Sequence, residues 1–180
     1  ESGLRSYDRR MPEEINRLIT DQLADLLFVT EKSGIDNLKQ EGISEKKVFF
    51  VGNSMIDSTY KYIGKAIEKK PWKVFVFSGR DYCLVTLHRP SNVDNVDLLK
   101  KTIRILNDIS TEVPIIFPIH PRTLSHLEKN NIILNKNIII SKPLNYIRFL
   151  GLLSKSKLVI TDSGGVQEET SYLGVQCITY

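Results

Sequence analysis

Short apolar runs rich in β-branched residues recur along the chain at residues 26–30, 48–51, 83–87, 115–119, 138–140, 158–160 and 175–179. Each is nearly continuous rather than alternating, the pattern of a strand covered on both faces. Between them, residues 13–23, 55–68, 98–109, 144–153 and 166–173 carry apolar side chains at helical spacing. Strand followed by helix, repeated, admits few folds. It predicts the α/β class, with a parallel sheet, right-handed crossovers, and ligands gathered outside the carboxyl ends of the strands.

A chain of 180 residues has room for one large domain or parts of two, and 41% hydrophobic with 26% charged residues argues against disorder. The long helical pattern from Met55 stops at Lys69, Lys70 and Pro71, so a boundary is expected near Trp72. Residues 73–77 read equally as a short strand or a hydrophobic connection. The 25 Lys and Arg exceed the 21 Asp and Glu to give a formal charge of +4, without a block of like charge. That balance does not favour a nucleic-acid partner, and an anionic small molecule accounts for the excess. Cys83 and Cys177 lie in apolar runs without metal-ligand spacing and are expected to be small buried hydrophobes in a reducing compartment. No apolar run reaches membrane-spanning length, and the opening Glu1-Ser2-Gly3-Leu4-Arg5 has no signal-peptide character. A cytoplasmic location is the expectation.

The richest chemistry follows the run at residues 158–160, in Thr161-Asp162-Ser163-Gly164-Gly165-Val166-Gln167-Glu168-Glu169. Small residues between a strand and a helix leave backbone N–H groups at the positive end of the helix dipole, where a phosphate is the natural guest. Glu168 and Glu169 then fall on the first turns, placed to accept hydrogen bonds from sugar hydroxyls near that phosphate. A plain serine cap with a glycine turn gives the same local sequence, and the run alone leaves both readings open. His88 and Arg89 end the run at 83–87, just before Pro90. Arg offers a planar fork for phosphate oxygens and His a mobile proton. The structural alternative has His88 capping a turn and Arg89 paired with Asp94. His120 ends the run at 115–119, held extended by Pro121, at the cleft or packed under a loop. His126, on the polar face of the next helical stretch, is expected to be solvated. Pro12, Glu13 and Glu14 suit the first turn of a helix. A functional role for either glutamate requires a carboxylate facing the cleft as a base, tuned by burial or a like-charged neighbour.

Six segments, in order, make the chain resemble the non-hydrolysing UDP-N-acetylglucosamine 2-epimerases: Glu1-Ser-Gly-Leu-Arg-Ser, Arg10-Met-Pro-Glu-Glu-Ile-Asn-Arg17, Gly52-Asn-Ser-Met-Ile-Asp57, Leu87-His-Arg-Pro-Ser-Asn-Val-Asp94, His120-Pro-Arg-Thr123 and Thr161-Asp-Ser-Gly-Gly-Val-Gln-Glu-Glu169. The resemblance implies two Rossmann-like domains of glycosyltransferase-B type facing across a cleft. Residues 1–72 are then the later part of the first domain with an interdomain helix, and residues 73–180 most of the UDP-binding second domain. It implies reversible conversion of UDP-N-acetylglucosamine to UDP-N-acetylmannosamine by anti elimination of UDP and syn re-addition, without metal or redox cofactor. By the same resemblance Glu1 and Glu13 are acid/base carboxylates near C2, and His88 assists departure and return of the diphosphate. Ser163, Gly164 and Gly165 hold phosphates, and Glu169 binds ribose hydroxyls. Arg89 and His120 match positions of a second, regulatory UDP-sugar site, although Pro90-Ser91 replaces the Arg-Glu often found there. Relatives are commonly homodimers that supply surface-polymer synthesis. Family segments upstream of Glu1 and downstream of Tyr180 are not in the sequence, so the chain is expected to be an internal piece of an epimerase. A glycosyltransferase of the same architecture and a non-catalytic UDP-sugar-binding remnant are the alternative functions.

Overall fold

All seven apolar runs form strands in the computed structural model, which describes residues 2–75 and 81–180. The chain divides into two units, Glu1–Asp57 and Ser58–Tyr180.

In the first unit, α1 (Pro12–Leu23) leads to β1 (Leu27–Val29), α2 (Lys32–Gln40) and β2 (Val48–Phe50), and the two strands pair in parallel. α3 (Ser54–Glu68) begins here. Pro12 at the start of α1 and two glutamates in its first turn bear out the helix-start reading. Glu13 stays exposed, whereas Glu14 is only 2% exposed. Glu14 accepts hydrogen bonds from Ser6 N (2.8 Å), Ser6 Oγ (3.0 Å) and Tyr7 N (3.0 Å), pinning a loop in which Tyr7 adopts a left-handed φ of 58°. The Ser6 N–H, first among these contacts, holds the Glu14 carboxyl below its ordinary range. A group whose folded value is depressed stabilises the fold fully above its unfolded value, about 4.3 for Glu, and stops doing so as pH falls through the folded one. Glu14→Gln should therefore lower the melting temperature at neutral pH, and the gap to the unaltered protein should close in acid. Parallel melting curves down to acid pH check this; a gap that does not change with pH contradicts it.

In the second unit a short 3-10 turn (Pro71–Val74) precedes β3 (Cys83–Thr86), α4 (Pro90–Val93), α5 (Val96–Glu112), β4 (Ile115–Pro118), α6 (Pro121–Lys129), β5 (Ile138–Ser141), α7 (Tyr146–Leu153), β6 (Leu158–Thr161), α8 (Gly164–Leu173) and β7 (Gln176–Thr179). The 3-10 turn answers part of the segment left open at 73–77; residues 76 and 77 lie outside the described residues. The five strands pair in parallel in the order β5-β4-β3-β6-β7. Side chains alternate across the sheet with period two. Cys83, Val85, Ile115, Phe117 and Ile160 pack with Leu99, Ile103 and Leu106 of α5 on one face. Leu84, Ile116 and Val159 pack with Leu150, Leu152 and Leu153 of α7 on the other. Burial pushes the Cys83 thiol up to about 12, as suits a small core residue. Cys177, on the edge strand β7, is only half-buried, which corrects the expectation for that residue. Gly151 lets α7 press against its neighbours: an added Cβ would stand 2.6 Å from Pro71 Cγ and 2.7 Å from Ala66 O. No helix of the described residues is long and apolar enough to cross a membrane.

Candidate functional site at the sheet's switch point

Strand order reverses in the second unit between β3 and β6. From β3 the chain moves outward to β4 and β5, then returns to β6 on the other side of β3 and continues to β7. Neighbouring helices diverge at such a point and leave a crevice outside the carboxyl ends of the two central strands. His88 and Arg89 follow β3, and Asp162, Ser163 and Gly164 follow β6, so sequence segments more than 70 residues apart meet there.

Hydrogen bonds weld the two strand ends together. Thr86 Oγ1 lies 2.6 Å from Thr161 Oγ1, and Asp162 N donates to Thr86 O at 3.3 Å. Asp162 Oδ2 accepts from His88 N (3.0 Å), Arg89 N (2.8 Å) and Asn92 Nδ2 (3.1 Å), while His88 Nδ1 is 2.8 Å from Asp162 Oδ1. The Asp162 side chain is 0% exposed and that of His88 54%. His88 is therefore more than a turn cap: both its backbone and its ring answer to one buried carboxylate. Asp94 is engaged by Arg122, through Nε at 2.8 Å and Nη2 at 2.5 Å, rather than by Arg89. Arg89 is exposed and has no side-chain partner among the described residues.

At the start of α8, Ser163 Oγ accepts from Val166 N at 3.5 Å and Ser163 O from Gln167 N at 3.2 Å. The serine-cap reading is correct, and it does not compete with the anion reading. The cap serves the third and fourth N–H groups and leaves those of Gly164 and Gly165 without an intrahelical acceptor. Gly164 is exposed, and a Cβ added there would meet nothing within 4 Å. Such an end offers two aligned donors and partial positive charge to an anion.

Glu169, in the second turn of α8, is 7% exposed. Its Oε1 accepts from Tyr146 OH at 2.9 Å and from Thr59 Oγ1 at 3.3 Å. Burial chiefly, with the carboxylate's bond and charge adding to it, holds the Tyr146 phenol above its ordinary value. His120 caps α6: it is exposed, and its Nδ1 accepts from Arg122 N at 3.2 Å. His126 is half-buried with Nε2 3.7 Å from Asp94 Oδ1, which corrects the expectation of a freely solvated ring. Glu13 belongs to the first unit, and Glu1 lies outside the described residues.

A sequence-family model described as UDP-N-acetylglucosamine 2-epimerase matches residues 1–180. The chain belongs to that family. It is 44% identical over 190 residues to the UDP-N-acetylglucosamine 2-epimerase of Methanococcus maripaludis, with 99% of this chain and 51% of that one covered. It is 41% identical over 182 residues to the UDP-2,3-diacetamido-2,3-dideoxy-D-glucuronate 2-epimerase of Pseudomonas aeruginosa, with 99% and 50% covered. The crystal structure of the Methanocaldococcus jannaschii UDP-GlcNAc 2-epimerase in complex with UDP-GlcNAc and UDP is similar with a TM-score of 0.82 at 42% identity, over 99% of this chain and 51% of that one. The chain spans about half the length of these relatives.

Three residues of the candidate site in this epimerase-family chain carry no functional mark in the sequence. Asp162 sat inside the phosphate run, but its contacts depend on β3 lying beside β6, which spacing does not encode. Thr59 and Tyr146 read as ordinary members of helical patterns, and no sequence signal marks them; only the fold shows Thr59 fully buried on α3.

Proposed function

We propose that the whole protein, of which this chain covers about half the length of its relatives, interconverts UDP-N-acetylglucosamine and UDP-N-acetylmannosamine by elimination and re-addition of UDP. The observation that carries the reading is the switch point. An imidazole and an unblocked helix N-terminus stand at adjacent strand ends, in a chain of the 2-epimerase family. In this reading the whole protein has two Rossmann-like domains of glycosyltransferase-B type, with residues 1–72 forming the later part of the first and an interdomain helix, and residues 73–180 most of the second. Ser163, Gly164 and Gly165 take the phosphates through N–H groups and hydroxyl. Glu169, its Oε1 steadied by Tyr146 and Thr59, takes the ribose hydroxyls. Glu1 and Glu13 exchange the C2 proton: the C–H electron pair becomes the C1–C2 double bond as the C1–O bond breaks and its pair leaves on the diphosphate. His88 stabilises that leaving charge. Arg89 and His120, both exposed at strand ends, serve a regulatory UDP-sugar site. Family resemblance supports a cytoplasmic homodimer that feeds surface-polymer synthesis.

The Pseudomonas aeruginosa relative supports a second substrate, a UDP-diacetamido sugar, for the same C2 chemistry. Proton NMR in D2O of the intact protein with each UDP-sugar separates these readings. Loss of the C2 proton signal together with appearance of the C2 epimer identifies the substrate. Donor consumed only when an acceptor is added would mean transfer, and binding without exchange would end the epimerase reading.

A further inference from the structure

A buried carboxylate is costly unless its oxygens are fully used, and Asp162 spends both on the segment that carries His88. Oδ2 holds the backbone N–H groups of His88 and Arg89 and the Asn92 amide. Oδ1 faces the His88 ring, 2.8 Å from Nδ1, and shares the His88 backbone N–H at a longer 3.2 Å. An ionised carboxylate only accepts hydrogen bonds, so Nδ1 carries the hydrogen between them, and in the neutral ring Nε2 is the bare nitrogen. Nε2 belongs to a half-exposed ring and has no partner among the described residues.

We propose that Asp162 is a positioning residue for His88, fixing Nδ1–H against itself and presenting Nε2 to the diphosphate. The proposal rests on the epimerase reading. When the ring is doubly protonated, its charge lies against Asp162 while Nε2–H bonds the phosphate oxygen that receives the electron pair of the broken C1–O bond. The hydrogen stays on Nε2, and the bond reverses when UDP adds back. Asp162→Asn is nearly isosteric, and the geometry dictates its effect. Three donors at 2.8–3.1 Å keep the amide oxygen at the Oδ2 position, against the single, longer contact of His88 N at the Oδ1 position, which turns the NH2 group toward Nδ1. Nδ1 must then accept, the neutral ring moves its hydrogen to Nε2, and a doubly protonated ring meets an N–H head-on without a counter-charge.

The test uses the intact protein with 15N only in its histidines, His88 being assigned by the signal missing in His88→Gln. The unaltered protein should show neutral His88 as the Nδ1–H tautomer and Asp162→Asn as the Nε2–H tautomer. In the same variant kcat for the UDP-sugar should fall about 10- to 100-fold, the difference between a charge-assisted and a neutral hydrogen bond at a developing charge, with KM nearly unchanged. Neutral His88 carrying its hydrogen on Nε2 in the unaltered protein overturns the proposal, whether or not the variant folds. A changed tautomer with normal kcat overturns it too. The tautomer needs no substrate, so absence of C2 exchange in the unaltered protein would fell the epimerase reading separately from the Asp162–His88 pairing.

Discussion

Glu13→Gln in the intact protein should lower C2 hydrogen exchange by about 10²- to 10⁴-fold, the contribution of a positioned proton-transfer group, while UDP binds as before. The substitution isolates chemistry because of where the residue stands. Glu13 is exposed on the first turn of α1 and its carboxylate makes no hydrogen bond among the described residues, so an amide of the same shape breaks nothing in the fold. The cost in stability is confined to the helix-dipole interaction of a first-turn acid, about 0.3–1 kcal/mol. Its neighbour is the contrast. Glu14 is buried and fully committed to Ser6 and Tyr7, so its loss reads out in stability and in the acid limb of unfolding. Two adjacent glutamates should thus separate cleanly, one in turnover and the other in melting. Exchange measured by NMR, UDP binding measured by calorimetry, and melting curves on both variants make the comparison. Normal exchange in Glu13→Gln removes Glu13 from the mechanism.

How much of this was legible beforehand follows from which forces are local. The strands were, because buried parallel strands announce themselves as continuous β-branched runs, and all seven formed. The helix α2 was not. Lys32–Gln40 offers only Ile35 and Leu38 as apolar anchors and carries Gly34 in its first turn, which reads as a break. The glycine is there for contact instead: a Cβ on Gly34 would stand 2.8 Å from Val29 Cγ1 and 3.0 Å from Ser2 O. At the site, each residue type and its position after a strand were visible, as was the serine cap. What the sequence could not show was adjacency. The strand order that sets β6 beside β3 turns Asp162 from a turn residue into the partner of His88, and the packing of α3, α7 and α8 brings Thr59 and Tyr146 onto Glu169. The Arg89–Asp94 pairing failed for the same reason, since Arg122, 28 residues from Asp94, reaches that carboxylate first.

Gly164→Leu should leave the fold intact and weaken UDP by about 10²- to 10⁴-fold. The fold is safe because the first residue of α8 is exposed, has no left-handed φ, and would project its Cβ into open space. Leu also outranks Gly in a helix by up to about 1 kcal/mol, so the melting temperature should hold or rise. Side chains on a helix tilt toward its N-terminus, so a Leu at 164 leans toward the N–H groups where the proposed phosphate would sit. A side chain there displaces the anion from two charge-assisted donors, each worth about 1.5–3 kcal/mol, and every 1.4 kcal/mol is tenfold in affinity. Gly164→Ala grades the effect, because a single methyl intrudes less than an isobutyl group. Calorimetric titration of UDP into the intact protein and both variants gives the order. Affinity that falls from Gly to Ala to Leu at constant or rising melting temperature is what a phosphate seated on the helix end requires. Equal UDP affinity in all three would move the diphosphate off the start of α8 and take the proposed roles of Ser163 and Gly165 with it. The two variants also test the site from opposite sides, since Glu13→Gln keeps the nucleotide and loses the proton transfer, whereas Gly164→Leu loses the nucleotide first.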